Sequence, residues 1–292
     1  MFSGSIPALV TPFRNGRVDE DAFRAFVDWQ IEQGSSALVP CGTTGESATM
    51  TIEEHNRVVQ ICVEQARGRV PVIAGAGSND TRIALEHMFA AQAAGATAAL
   101  VVAPYYNKPT QEGLYQHFAA IAAAVDIPQI LYNVPGRTGC DISNDTVIRL
   151  SAIANIVGIK DATGGIERGT DLLLRVPEDF AIYSGDDATG MALMLLGAQG
   201  VISVTANVAP KLMREMCVAA MAGNVAKACE INAKLFGLHQ KLFVEANPIP
   251  TKWVLQQMGL IQSGIRLPMV NCSAQFHDVL RLAMKSAEIS KL

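Results

Sequence analysis

What this chain lacks narrows it first. Its six cysteines (Cys41, Cys62, Cys140, Cys217, Cys229 and Cys272) are scattered with no C-x-x-C pair, which fits reduced thiols and argues against a disulfide framework or a zinc site. Aromatic residues make up only 6% and the formal net charge is -4, so no basic field exists for a polyanion and no nucleic-acid partner is expected. No segment reaches membrane-spanning length without charges or Gly/Pro breaks, and residues 1–10 show no basic stretch leading into an apolar one. These absences predict a cytoplasmic protein with no membrane partner and a small ligand. A Gly-x-Gly-x-x-Gly fingerprint after the first apolar run is also missing; Gly75-Ala76-Gly77 lacks the third glycine, which counts against dinucleotide binding.

What is present is a repeat. Eight short apolar runs, at 5–11, 36–40, 70–75, 98–103, 128–132, 156–160, 181–184 and 200–204, alternate with segments of helical period. The runs are apolar almost throughout, as strands covered on both faces are. Helix-start residues stand between them: Asp19, Thr51 three residues before Glu54, Asp80 with Thr81, and Ser143. The pattern predicts an α/β fold, a (β/α)8 TIM barrel over residues 1–223, with a C-terminal helical extension over 224–292. Near the end of the chain, 210–222, 225–243, 249–258 and 274–290 read as consecutive helices without strands between them.

In a barrel of this kind the active site lies at the C-terminal ends of the strands. Lys160 closes the apolar run 156–160 just before Gly164-Gly165, and a lysine whose charge is disfavoured by burial is a nucleophile toward carbonyls. Position alone also fits a lysine that snorkels to solvent or pairs with Asp161. The other strand ends tilt the balance. The second run ends in Cys41-Gly42-Thr43-Thr44-Gly45-Glu46, whose glycines and hydroxyls suit a carboxylate or phosphate. Tyr105 and Tyr106 follow the fourth run, Tyr132 and Arg137 the fifth, Gly185 the seventh, and Ile202 lies in the eighth. A lysine, a tyrosine, paired threonines and an arginine are the parts that imine chemistry on a keto acid needs. Metal-dependent aldol chemistry would need His, Asp and Glu at strand ends, whereas His55, His87, His117, His239 and His277 fall in helical segments, so no metal is expected. Cys41 reads as a small buried residue rather than a nucleophile.

Three motifs, Gly42-Thr43-Thr44-Gly45-Glu46, Tyr132-Asn133-Val134-Pro135-Gly136-Arg137 and Gly158-Ile159-Lys160-Asp161-Ala162-Thr163, resemble the pyruvate-dependent class I aldolases, and within them the dihydrodipicolinate synthase family. The likeness runs from Gly4 through Asn247–Lys252 to Pro268. It implies condensation of pyruvate with L-aspartate-4-semialdehyde, without a cofactor, on the diaminopimelate route to lysine. Lys160 would form the Schiff base; Tyr132, Thr43 and Tyr106 would form a proton relay, with Tyr106 reaching in from a neighbouring subunit. Thr44 and the Ile202 backbone would hold the pyruvate end, Gly185 would line the pocket, and Arg137 would bind the semialdehyde carboxylate. A homotetramer built as a dimer of dimers is implied as well. So is a feedback pocket for lysine at Ser47, Ala48, Ile52, His55, Asn79, Ile83 and Tyr105, although Ile83 stands where inhibited relatives commonly carry glutamate. Asp161 likewise stands where glutamate is common. Two rivals remain: a lyase for sialic acid or 2-keto-3-deoxy sugar acids, against which Arg137 argues, and a barrel without catalysis, against which the intact relay argues.

Overall fold

The computed structural model describes residues 2–289. The chain begins with strand β1 (Gly4–Pro7), a small hairpin of β2 (Phe13–Arg14) and β3 (Arg17–Val18), and helix α1 (Glu20–Glu32). There follow α2 (Ile52–Ala66), β4 (Ile73–Gly75), α3 (Thr81–Ala93), β5 (Ala98–Val102), α4 (Gln111–Ala124), β6 (Gln129–Asn133) and the short α5 (Pro135–Thr138). Next come α6 (Asn144–Ser151), β7 (Ile156–Asp161), α7 (Ile166–Arg175), β8 (Ala181–Ser184), α8 (Asp187–Leu195) and β9 (Gly200–Ser203). The remaining helices are α9 (Pro210–Met221), α10 (Val225–Lys241), α11 (Ile249–Met258) and α12 (His277–Ser286).

Seven strands pair in the order β1-β9-β8-β7-β6-β5-β4, all parallel. The expected second strand at 36–40 is no regular strand, yet it closes the barrel. It bridges Val39 to Ala8 on one side and Leu38 to Val72 on the other. Ser36 and Val39 N–H groups donate to Ser5 and Pro7 at 2.9 and 3.0 Å, while Ile73 and Gly75 N–H groups donate to Leu38 and Pro40 at 2.8 and 2.9 Å. Other expectations shift by a few residues: the first strand is Gly4–Pro7 instead of 5–11, and the third starts at Ile73.

The apolar runs make two cores, one on each face. Side chains that alternate inward, such as Ile6, Val39, Ile73, Leu100, Ile130 and Ile202, fill the barrel. Their neighbours Leu38, Ala74, Val101, Leu131 and Val201 face the helices, where Phe23, Phe26 and Phe118 are fully buried and contribute about 1.5–3 kcal/mol each. The caps fall where expected. Asp19, Thr51, Asp80 and Ser143 accept from N–H groups in the first turns of α1, α2, α3 and α6, and Thr51 with Glu54 forms a reciprocal capping box. Two features went unexpected: the β2–β3 hairpin, turning at Asn15-Gly16 with φ of 53° and 76°, and α5 just after β6. The last expected helix, 274–290, is a 3-10 turn (Ala274–Phe276) followed by α12, and its position 290 lies outside the described residues. Helix α10 packs on α8, α9 and α12, so the C-terminal helices continue the outer layer.

Candidate active site

β6 and β7 set the centre of the site. Their parallel register puts Tyr132 beside Lys160 and Asn133 beside Asp161. Alternation then turns the first two inward and the second two outward. Lys160 is 5% exposed, with Nζ 4.3 Å from the centroid of the Tyr132 ring. Asp161 does not neutralise it. That carboxylate accepts from Arg168 Nε at 2.9 Å, Asn133 Nδ2 at 3.1 Å and the Thr163 N–H at 3.0 Å, and it also takes the Thr163 hydroxyl. The pairing of Lys160 with Asp161, open from the sequence, is therefore closed by geometry. Asp161 instead anchors Arg168 in the first turn of α7, and Arg168 reaches on to Asp141 at 3.1 Å.

Gly185 belongs to the same centre. A Cβ there would lie 2.9 Å from Lys160 Cε and 2.7 Å from Ala162 Cβ, so any side chain would push the lysine aside. Ile202, paired with Ile6 near the end of β9, buries its side chain in the barrel core.

The Gly42–Gly45 turn, closed by the Gly45 N–H to the Gly42 carbonyl at 3.0 Å, carries Thr43 and Thr44 at its central positions. Thr44 is 2% exposed and its Oγ1 accepts from Asn247 Nδ2 at 2.9 Å. Asn247 in turn accepts Arg137 Nη2 on its carbonyl at 3.2 Å. One asparagine thus connects the threonine turn to the mouth arginine. Sequence reading passed over its role, because the strand-end rule does not reach a residue just ahead of α11.

Arg137 sits on α5, in a cleft lined also by Tyr105, Tyr106 and Lys108. Tyr106 is 89% exposed with φ of 74°, and its N–H donates to the Thr138 carbonyl at 3.1 Å. It stands on the outer surface of this chain, away from the buried lysine. Cys41, Glu46, Tyr106 and Lys108 all hold positive φ in the loops around the mouth, a conformation that costs energy for residues with a Cβ.

The five histidines lie on helices, as expected, in packed or partnered positions. His55 lies against His87 with ring centroids 4.0 Å apart and the planes tilted by 38°, and burial pulls the His55 imidazole down to about 4. His117 meets the Thr81 hydroxyl at 2.9 Å and is likewise pulled down to about 4 by burial. His239 meets Thr205 at 2.9 Å, and His277 stacks on Trp253. Among the described residues no three His, Cys, Asp or Glu converge on a metal position. Cys41 is buried, and burial pushes its thiol up, as suits a packing residue. Of the expected lysine-pocket positions, Ala48, Ile52 and Tyr105 are exposed, Ser47 and Ile83 half-buried and His55 buried. The Asn79 carbonyl accepts Asn107 Nδ2 at 2.9 Å, which ties it to the Tyr105–Tyr106 loop.

A closed parallel barrel with a buried lysine beside a tyrosine at its strand ends, and a threonine turn after the stave at 36–40, defines the class of lysine-dependent aldolase barrels. The comparison with protein families narrows that class. The dihydrodipicolinate synthetase family matches residues 1–287, and the chain belongs to that family. It is 62% identical to a 4-hydroxy-tetrahydrodipicolinate synthase of Nitrosospira multiformis, over 98% of this chain and 96% of that one. It is 60% identical to the enzyme of the same name from Nitrosomonas europaea, over 99% and 100% of the two chains. Among solved structures it resembles the chloride-inhibited dihydrodipicolinate synthase of Acinetobacter baumannii complexed with pyruvate. There the TM-score is 0.97 and the identity 54%, covering 99% of this chain and 100% of that one. Among the described residues no helix is long and apolar enough to cross a membrane.

Proposed function

We propose that this chain is a 4-hydroxy-tetrahydrodipicolinate synthase, a lyase that condenses pyruvate with L-aspartate-4-semialdehyde. The observation that carries the reading is Lys160, buried beside Tyr132 while its acidic neighbour is engaged elsewhere. The Lys160 amine attacks the pyruvate ketone and water leaves, giving an imine. Loss of a methyl proton yields the enamine, whose carbon attacks the aldehyde carbon of the semialdehyde; the semialdehyde's own amine then adds to the imine carbon and displaces the Lys160 amine, closing the ring and freeing the lysine. Tyr132 moves the protons, relayed through Thr43 to Tyr106 of a second copy. Thr44 and the Ile202 backbone hold the keto-acid end, Gly185 leaves room for the lysine, and Arg137 takes the second carboxylate.

The high exposure of Tyr106, with Tyr105, Ile52 and Phe89 also exposed, supports a second copy over this face, and a homotetramer of two such dimers. The division into a barrel over 1–223 and a helical domain over 224–292 belongs to the same reading. So does a cytoplasmic location, which six free cysteines, five of them buried, support. The test is an assay with pyruvate and each candidate aldehyde, coupled to a reductase that accepts only the product of the semialdehyde reaction. Turnover with the semialdehyde alone is expected; turnover with sugar aldehydes instead would reject the reading in favour of a sugar-acid lyase.

A further inference from the structure

The threonine turn is also gripped from outside the barrel. Glu46 leaves it with φ of 57° and buries its carboxylate, the residue being 5% exposed. One carboxylate oxygen receives Lys252 Nζ and the other accepts the Arg266 N–H at 3.2 Å. Lys252, also 5% exposed, lies on α11, five residues beyond the asparagine that holds Thr44. Its ammonium donates to the Gly264 carbonyl at 2.8 Å and lies 4.4 Å from the Phe13 ring centroid. The Arg266 guanidinium stands 4.3 Å from the same ring and binds Glu54 at 2.5 and 2.7 Å. Barrel loop, hairpin and C-terminal segment meet on this one internal pair.

Stability is a poor reason for such a pair. Two charges taken out of water cost several kcal/mol each, and apolar residues of similar volume are often at least as stable in their place. Burial pulls the Lys252 ammonium down to about 8 against the opposing pull of Glu46, so the cost is visible. What an apolar pair lacks is direction. Two bonds on opposite oxygens of one carboxylate fix Glu46 in its left-handed conformation, and with it the exit of the turn that carries Thr43 and Thr44.

We propose that the Lys252–Glu46 pair is a positioning clamp for the keto-acid subsite, setting the Thr43–Thr44 turn against Lys160 from the C-terminal helix α11. The clamp rests on the assignment of Thr44 to the keto-acid carboxylate. Lys252 and Glu46 are positioning residues, acting through the turn. A displacement near 1 Å at such a turn is enough to cost on the order of a hundredfold in rate, so a buried device that prevents it has a function beyond packing.

The test uses the full chain and four variants: Glu46→Gln, Lys252→Met, the double variant Glu46→Leu with Lys252→Met, and Thr44→Val. Tm, kcat and the pyruvate KM are measured for each. The single clamp variants should lower Tm and raise the pyruvate KM about tenfold or more. The double variant, with no unpaired charge, should recover Tm while the raised KM persists. Recovery of both Tm and KM in the double variant would overturn the proposal, because the pair would then only fill space. Should the double variant not fold, Glu46→Gln decides by the same reading, since it keeps the side-chain volume; an unchanged pyruvate KM there overturns the clamp. A wild-type KM in Thr44→Val overturns the assignment of the turn, and the clamp with it. A raised KM in Thr44→Val beside normal clamp variants overturns the clamp alone.

Discussion

The two halves of the proposed site are built by different means. Lys160 and Tyr132 are neighbours because β6 and β7 are adjacent and in register, so the backbone ladder of the barrel itself sets their spacing. Thr44, Asn247 and Arg137 meet through side-chain contacts across 203 and 110 residues of chain. In the proposed mechanism the covalent chemistry would stand on the hydrogen-bonded ladder of the barrel, and substrate recognition on a rim that several loops and a C-terminal helix assemble. Damage to the first half should be all-or-none, and damage to the second should be graded.

Lys160→Met should therefore abolish borohydride trapping of pyruvate and lower kcat by roughly a thousandfold or more, with Tm little changed. Mass spectrometry that places a trapped adduct on another lysine would break the comparison at its root. Tyr132→Phe keeps the ring against the lysine but removes the proton carrier, and should cost about 10²–10⁴ in kcat. On the rim, Arg137→Ala should leave trapping intact and lower kcat/KM for the semialdehyde by about ten- to a hundredfold, the value of one charge-assisted pair of about 1.5–3 kcal/mol. Asn247→Ala should weaken pyruvate by about tenfold, since it takes the side-chain donor from Thr44, and should leave the semialdehyde little affected, because Arg137 keeps its bond to the main-chain carbonyl there. Equal loss of trapping in Arg137→Ala would show that the two halves are one unit.

The same contrast explains what was legible beforehand. The eight staves, the caps at Asp19, Thr51, Asp80 and Ser143, and the place of Lys160 all follow from local pattern. The irregular stave at 36–40 did not announce its short bridges, because its pairing depends on β1 and β4 on either side. The hairpin at Asn15-Gly16 has a signal in that dipeptide, but its strands are two residues each, too short to stand out as apolar runs. Asn247 and Lys252 belong to a stretch that carries the family likeness, but no local pattern gives either a role. Their partners, Thr44 and Glu46, lie more than 200 residues away, and only folding brings them together.

A smaller effect separates the barrel centre from the helical layer around it. The residues assigned to the chemistry include no histidine, whereas His55 and His117 are buried in α2 and α4 and held neutral to about pH 4. Between about pH 6.5 and 4 the unfolded chain binds protons that the folded chain refuses, so stability is full above that window and falls as pH drops through it. Each histidine contributes at most about 3 kcal/mol to that fall. His117→Gln should flatten the plot of Tm against pH across this window without altering kcat/KM at neutral pH. An unchanged acid slope would mean that other groups carry it.

The smallest expected effect is that of lysine as an inhibitor, and it sharpens the comparison because its pocket would lie on the exposed face, outside the cleft. A lysine ligand brings two ammonium groups. Ile83, half-buried on α3, and Ile52, exposed on α2, offer neither charge nor hydrogen bond to them. His55 is kept neutral by burial against His87. Of the nearby carboxylates, Glu54 is committed to Arg266 at 2.5 and 2.7 Å and to the Thr51 N–H at 3.2 Å, which leaves the exposed Glu53 and Glu86. An exposed carboxylate offers an ammonium less than about 1 kcal/mol, against about 1.5–3 kcal/mol for a contact made inside a pocket. Titration of activity with lysine at saturating pyruvate should show weak inhibition or none. Ile83→Glu should strengthen it by about ten- to a hundredfold. Equal inhibition of the native chain and that variant would show that a carboxylate other than one at position 83 holds the ligand.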